Sequence, residues 1–141
     1  RVLNARGRRS AQAIGYWLRQ HAYVPDRILS SSAERTVETA RGLGLDTVPA
    51  LFTQSLYLAG PEQMLAQLRK AAGHCVLMLG HNPGIGWLAE MLVSTPPQHA
   101  RFGDYPTCAT LVVDFDASDW STVKPGTGQV VDFVTPRDLL D

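Results

Sequence analysis

Three observations predict an α/β fold, a three-layer αβα sandwich around a mostly parallel sheet. Apolar runs alternate with stretches of helical periodicity. The run Cys75-Val76-Leu77-Met78-Leu79 has no polar alternation, which is the mark of a strand covered by helices on both faces. The last run, Gln129 to Val134, instead has period two and follows the apolar stretch Cys108 to Phe115, so an antiparallel pair should finish the sheet.

The elements follow in order. Asn4 is a fair N-cap for a helix from about Ala5 to Gln20, in which Ala11, Ile14, Leu18 and Ala22 supply one buried face and Gly7 and Gly15 weaken it locally. Pro25-Asp26 breaks the chain before a short strand, Arg27-Ile28-Leu29-Ser30. Ser31 and Glu34 have capping-box spacing for a second helix to about Arg41, stopped by Gly42 and Gly44. A short strand is expected within Thr47 to Phe52, and Pro61-Glu62 opens a third helix to Lys70. After the strand Cys75 to Gly80 comes the turn His81-Asn82-Pro83-Gly84. Ile85, Leu88, Ala89 and Leu92 then mark a fourth helix, ended by Thr95-Pro96-Pro97. Asp116 to Gly128 reads as a loop, and no repeat or interdomain linker interrupts the chain.

With 141 residues and 45% hydrophobic content, the chain suits one domain with a single sizeable core. Thirteen basic and thirteen acidic residues cancel, so no general attraction to nucleic acid or an anionic membrane is expected and any basic site must be local. No stretch reaches the roughly 18 consecutive apolar residues of a membrane span. No apolar segment follows the Arg-rich start as in a secretory signal. A cytoplasmic protein is the expectation. Cys75 and Cys108 both lie in apolar runs, where a thiol behaves as a small buried hydrophobe, and two cysteines make no disulfide framework.

Ligands of open α/β sheets bind at the carboxyl ends of strands, which directs attention to two exits. In the first, Ser30-Ser31-Ser32-Ala33-Glu34-Arg35, a strand empties through serines into a helix whose first turn holds Arg35. Helix N-terminal N–H groups and a guanidinium fork together suit an anion. The same residues also read as plain capping serines beside a solvated arginine. At the second exit, Gly80-His81-Asn82-Pro83-Gly84, His81 could hydrogen-bond or protonate a phosphoryl oxygen, or simply pack in a tight turn. His21, His74 and His99 have no such setting. No histidine pair has metal-ligand spacing and no carboxylates cluster, so neither metal nor cofactor is expected. Phosphate-loop and nucleophile-elbow motifs are absent.

Taken together these segments resemble the histidine phosphatase superfamily, which is phosphoglycerate mutase-like in fold, and in particular its small SixA-like phosphohistidine phosphatase branch. Arg1-Val2-Leu3-Asn4-Ala5-Arg6-Gly7 is similar to the family's R-P-L-[NST]-x-x-G segment, with Val2 in place of proline. Ser30 to Thr39 is similar to its S-S-x-x-x-R-x-x-[EQ]-T element, which puts Arg35 on the phosphate-binding arginine. Leu79-Gly80-His81-Asn82-Pro83-Gly84 matches the second histidine motif. Pro125 to Gly128 and Phe133 to Leu139 are like the closing segment of many bacterial members.

The family's R-H-G or R-H-A motif, whose histidine attacks phosphorus, occurs nowhere in the chain. The resemblance implies that this motif, with its strand, lies about 20 residues upstream of Arg1, the usual spacing of a strand and a loop. Residues 1–141 would then be one histidine phosphatase domain lacking its N-terminal strand. The implied activity is hydrolysis of a phosphohistidine or phosphate monoester through a phosphohistidine enzyme intermediate, with Arg1, Arg35 and His81 contacting the phosphoryl group and His81 stabilising its charge. Glu62 is the nearest candidate for a general acid, and equally a capping residue. The implied partner is a phosphorylated protein or a small phosphorylated molecule, not nucleic acid or membrane. The alternative is a non-catalytic phosphate- or phosphoprotein-binding domain without a nucleophile.

Overall fold

A computed structural model describes residues 2–140. Helix α1 spans Ala5–Gln20, and the Asn4 side chain caps it by accepting from the Gly7 N–H at 2.8 Å. Strand β1, Arg27–Ser31, follows, then α2, Glu34–Gly42, and β2, Ala50–Thr53. Helix α3, Pro61–Arg69, leads to β3, Val76–Leu79, and α4, Gly84–Leu92. Strands β4, Thr110–Asp114, and β5, Gln129–Val134, precede a short closing helix α5, Pro136–Leu140, that the sequence did not suggest.

The mixed α/β fold has the expected layers. Strands β2, β1 and β3 lie side by side, all parallel, with β1 in the middle. Strands β1 and β3 divide their apolar residues between the two faces. Ile28, Leu77 and Leu79 face a core cluster with Ile14, Trp17 and Leu18 of α1. Leu29, Val76 and Met78 face the opposite cluster, built on Met64, Leu65 and Leu68 of α3 and Leu88 and Leu92 of α4. Strands β4 and β5 form a separate antiparallel pair with an irregularity between Val112 and Val113.

The sheet is therefore in two pieces. Between β3 and β4 lies a cavity of about 730 Å³, with Val76–Leu79 on one wall and Thr110–Asp114 on the other. This explains two departures from expectation. All four residues of β3 are only half-buried, because one edge of the strand opens on the cavity. Cys75, expected inside, is exposed: it sits one residue before β3 begins, at the cavity's rim. Cys108 is half-buried.

Other differences are local. Ala22 does not extend the buried face of α1, since the helix has ended and Ala22 is exposed with φ 58°; Trp17 fills that face instead. Gly15, expected to weaken the helix, is there for packing: a Cβ on it would lie 2.0 Å from the Leu43 carbonyl oxygen at the end of α2. Strand β2 is shifted towards Thr53 and is largely exposed. Among the described residues, no helix is long and apolar enough to cross a membrane.

Candidate active site

The site is assembled where β1 and β3 end. Ser30 and Ser31, the last residues of β1, are fully buried. The turn beyond them is closed by its own hydrogen bonds. Ser30 Oγ and Thr36 Oγ1 both donate to the Ser31 carbonyl, at 2.9 and 2.8 Å, and the Ala33 N–H donates to Ser31 Oγ at 3.2 Å. The expected capping box does not form. Ala33 is the N-cap, without a side-chain hydrogen bond, and Ser31 is committed to the strand. Arg35 is exposed in the first turn of α2 and lines the cavity.

The second turn meets the first at a side-chain hydrogen bond. His81 Nε2 and Ser31 Oγ share a hydrogen bond of 2.8 Å. The imidazole is also braced by Tyr57, whose ring meets it edge-on with centroids 5.4 Å apart. Behind it, the Ile85 N–H donates to the His81 carbonyl at 2.9 Å and Asn82 Nδ2 donates to the Tyr105 carbonyl at 2.8 Å. The Asn82–Pro83 peptide is cis. Gly84 lets this turn approach the chain before α3, for a Cβ there would lie 2.0 Å from the Ala59 carbonyl oxygen.

Burial and the nearby Arg35 charge, in that order, push the His81 pKa below the ordinary histidine value. The ring is thus held neutral at neutral pH beside a permanent cation. An anion placed between them would favour protonation of His81 as well as pairing with Arg35. Cys108 faces the same space, its thiol pushed up by burial and partly offset by Arg35.

Arg35 and His81, two of the three site residues expected from sequence, are therefore brought together on one cavity. Arg1, the third, lies outside the described residues. Glu62 is exposed in the first turn of α3 and is not among the residues lining the cavity. His74 lines the cavity from the amino end of β3, away from this site. His21 is occupied with the Trp17 carbonyl and His99 with Asp138. Among the described residues, no three His, Cys, Asp or Glu side chains are grouped to hold a metal ion.

Sequence reasoning missed three participants. Ser31 was assigned to a cap, and its contact with His81 spans 50 residues that no local pattern connects. Tyr57 carries no motif. Glu38, quoted only as part of a motif, accepts from the Leu3 N–H at 3.3 Å and so ties the start of α1 to α2.

The family model for histidine phosphatase superfamily (branch 1) matches residues 2–55. Two uncharacterized proteins of Mycobacterium tuberculosis, MT1313 and Rv1276c, are 31% identical over 144 residues, covering 97% of this chain and 90% of theirs. The chain belongs to the histidine phosphatase superfamily. Solved structures share its fold. A Nakamurella multipartitia protein named for the phosphohistidine phosphatase SixA matches with a TM-score of 0.84 at 24% identity, over 96% of this chain and 85% of the other. A protein histidine phosphatase SixA complexed with tungstate matches with a TM-score of 0.76 at 23% identity, over 99% and 86%.

Proposed function

We propose that residues 1–141 are one histidine phosphatase domain that hydrolyses a phosphohistidine or a phosphate monoester, with the nucleophilic histidine contributed by residues preceding Arg1. The observation that carries this reading is the 2.8 Å hydrogen bond between Ser31 and His81, which joins two strand exits into one pocket holding Arg35. The tungstate in one structural neighbour is a tetrahedral oxyanion like phosphate, in keeping with a fold that takes a phosphoryl group.

In this reading Arg35 holds two phosphoryl oxygens in its guanidinium fork. The nucleophilic histidine nitrogen attacks phosphorus in line, the bond to the substrate's nitrogen or oxygen breaks, and the leaving group takes up a proton. Water then attacks the phosphohistidine, releasing inorganic phosphate and restoring the imidazole. His81 meets the charge that builds on the transferring group. A phosphoramidate leaving group needs little acid assistance, which suits the position of Glu62 outside the cavity.

The 141 residues contain no R-H-G or R-H-A motif, which favours a second reading for the 141-residue chain alone: a phosphate-binding body. Both readings are tested together by measuring hydrolysis of an aryl phosphate and of a phosphohistidine peptide. The 141-residue chain should be inactive, and the chain extended with its preceding residues active. Robust turnover by the 141-residue chain, abolished by His81→Ala alone, would overturn the assigned roles.

A further inference from the structure

The loop between β2 and α3 holds apolar side chains out in solvent beside the phosphoryl site. Leu56 and Ala59 of this loop are buried, yet Tyr57 and Leu58 between them are 48% and 66% exposed. Trp87 of α4 is 56% exposed. We propose that Tyr57, Leu58 and Trp87 form a docking lip for the polypeptide that carries the phosphoryl group, and that the lip selects segments with apolar side chains next to the phosphorylated residue. The inference deepens the proposed function and rests on it for the phosphoryl group that the segment carries.

Single exposed apolar residues are ordinary on a protein surface. These three instead adjoin the site and one another. Tyr57 meets the His81 ring edge-on with centroids 5.4 Å apart, and Leu58 lines the cavity that Arg35 and His81 also line. The same loop presses on α4, where a Cβ on Gly84 would lie 2.0 Å from the Ala59 carbonyl oxygen. Trp87 follows Gly84 by three residues and so projects from a neighbouring side of the helix. Long side chains on a helix lean towards its N-terminus, which for α4 is the His81 turn. The apolar surface thus continues from His81 across the loop to α4.

Leu58 is also held there against its backbone preference. Its φ is 53°, in the left-handed region that glycine or asparagine enters far more readily than leucine. Burial does not offset this strain, because the side chain is exposed. The surroundings impose it. The Tyr57 N–H donates to the Gln54 carbonyl at 3.0 Å, Gln63 Nε2 to the Ser55 carbonyl at 2.9 Å and the Met64 N–H to the Gly60 carbonyl at 3.0 Å. Leu56 and Ala59 join Met64 in the core on either side of the outward pair. A loop fixed in this way loses little freedom when a partner settles on it, which favours binding.

The chemistry of the lip decides its occupant. Arg35 and His81 can meet a phosphoryl group whatever bears it. A sugar or other small polar phosphate would set hydroxyls against Tyr57 and Leu58, taking them out of water without giving them partners. A lone aromatic leaving group could lie on Tyr57 but would leave Leu58 and Trp87 in solvent. A phosphorylated residue of a polypeptide brings its neighbours with it, spaced about 3.3–3.6 Å along an extended chain, and tyrosine and tryptophan are the side chains that most often dominate contacts between proteins.

The test compares substrates that share a phosphoryl group and differ in what surrounds it, in the full-length protein. They are phosphoramidate, an aryl phosphate, and two phosphohistidine peptides of equal length with leucine or with serine on both sides of the phosphorylated residue. The wild type should prefer the leucine peptide by about tenfold in kcat/KM, mostly through KM. Leu58→Asn/Trp87→Gln should reduce that preference to about twofold or less, with phosphoramidate turnover nearly unchanged. This variant should stay folded, since asparagine tolerates the backbone of residue 58 and Trp87 is exposed, and its thermal midpoint checks that. Equal turnover of the two peptides by the wild type, which needs no variant, would overturn the lip. An equal loss on the aryl phosphate and the leucine peptide would overturn it in favour of a small aromatic substrate. A full-length protein that sediments as a dimer and is made monomeric by the double substitution would overturn it in favour of a second copy. If the full-length protein turned over none of the substrates, the proposed function would fail and binding of the unphosphorylated peptides would decide the lip. Tighter binding of the leucine peptide, lost in the variant, would uphold it, and equal binding of both would overturn it.

Discussion

The two turns that make the site hold their functional groups in opposite ways. The Ser30–Arg35 turn starts from two buried serines and is closed by side-chain hydrogen bonds onto its own backbone, yet it presents an exposed, permanently charged guanidinium. The His81–Gly84 turn is held from outside, by Ala59, Tyr105 and Tyr57, and presents a half-buried imidazole whose pKa is pushed below the ordinary histidine value by burial and by Arg35. One group keeps its charge whatever surrounds it. The other is a side chain whose charge depends on its surroundings. Ser31 Oγ links them directly, belonging to the first turn and touching the side chain of the second.

The largest effects should come from removing each group in the extended, active protein. His81→Ala should lower kcat by roughly 100-fold or more with a smaller change in KM, because its contribution grows with transition-state charge. Arg35→Ala should weaken substrate binding as well as turnover, because its fork engages the ground state too. The double variant should lose less than the product of the two, since both act on one phosphoryl group. Steady-state kinetics of the three variants decides this. Single variants indistinguishable from wild type would break the assignment of both turns.

A second change separates the turns mechanically. Gly84→Ala sets a Cβ against the Ala59 carbonyl oxygen, so the His81 turn must shift while the Arg35 turn is untouched. The expected cost is about 1–3 kcal/mol of stability by overpacking, read from denaturant unfolding, with a fall in kcat and near-normal sulfate binding. Wild-type stability would show that this turn is looser than its contacts imply. Smaller again, Ser31→Ala removes the bridge to His81 and, with it, the bond that Ser31 Oγ accepts from the Ala33 N–H. Losing one hydrogen bond of about 1 kcal/mol corresponds to roughly fivefold in kcat, and KM should hardly move because Arg35 keeps its place.

Much of this was legible in sequence because it is local. The period of each apolar segment located the helices and strands, and Gln129–Val134 agrees to the residue. The Arg35 and His81 turns were legible because strand ends in α/β sheets are where ligands bind. What escaped depended on packing between distant segments. Gly15 reads as a flaw in a helix until Leu43 is seen against it, and Ser31 reads as a cap until His81 is. Cys75 was placed inside because an apolar run normally continues into a covered strand, whereas here the strand starts one residue later and borders a cavity.

The smallest effect is a slope, and it probes the asymmetry of the turns directly. His81 has a folded pKa below its ordinary value, so the free protein stays neutral there at a pH where an unhindered histidine would begin to charge. Its contribution to stability is therefore fully present above about pH 6.5 and is lost as pH falls through the depressed value, since the unfolded chain takes the proton first. Sulfate reverses the balance in the folded state. A dianion between Arg35 and His81 favours the imidazolium, so binding must be accompanied by proton uptake and must tighten as pH falls from 7.5 towards 5.5. Arg35 is charged throughout this range, and the Cys108 thiol titrates above it, so of these cavity-facing groups only His81 can supply the slope. Calorimetric titration of the 141-residue chain with sulfate, in buffers of different ionisation enthalpy, measures the proton count directly. It should be positive and below one per sulfate, and His81→Gln should abolish it while retaining most of the affinity at pH 7.5. A proton count that persists in His81→Gln would assign the slope to another group, and the two turns would then differ in position only.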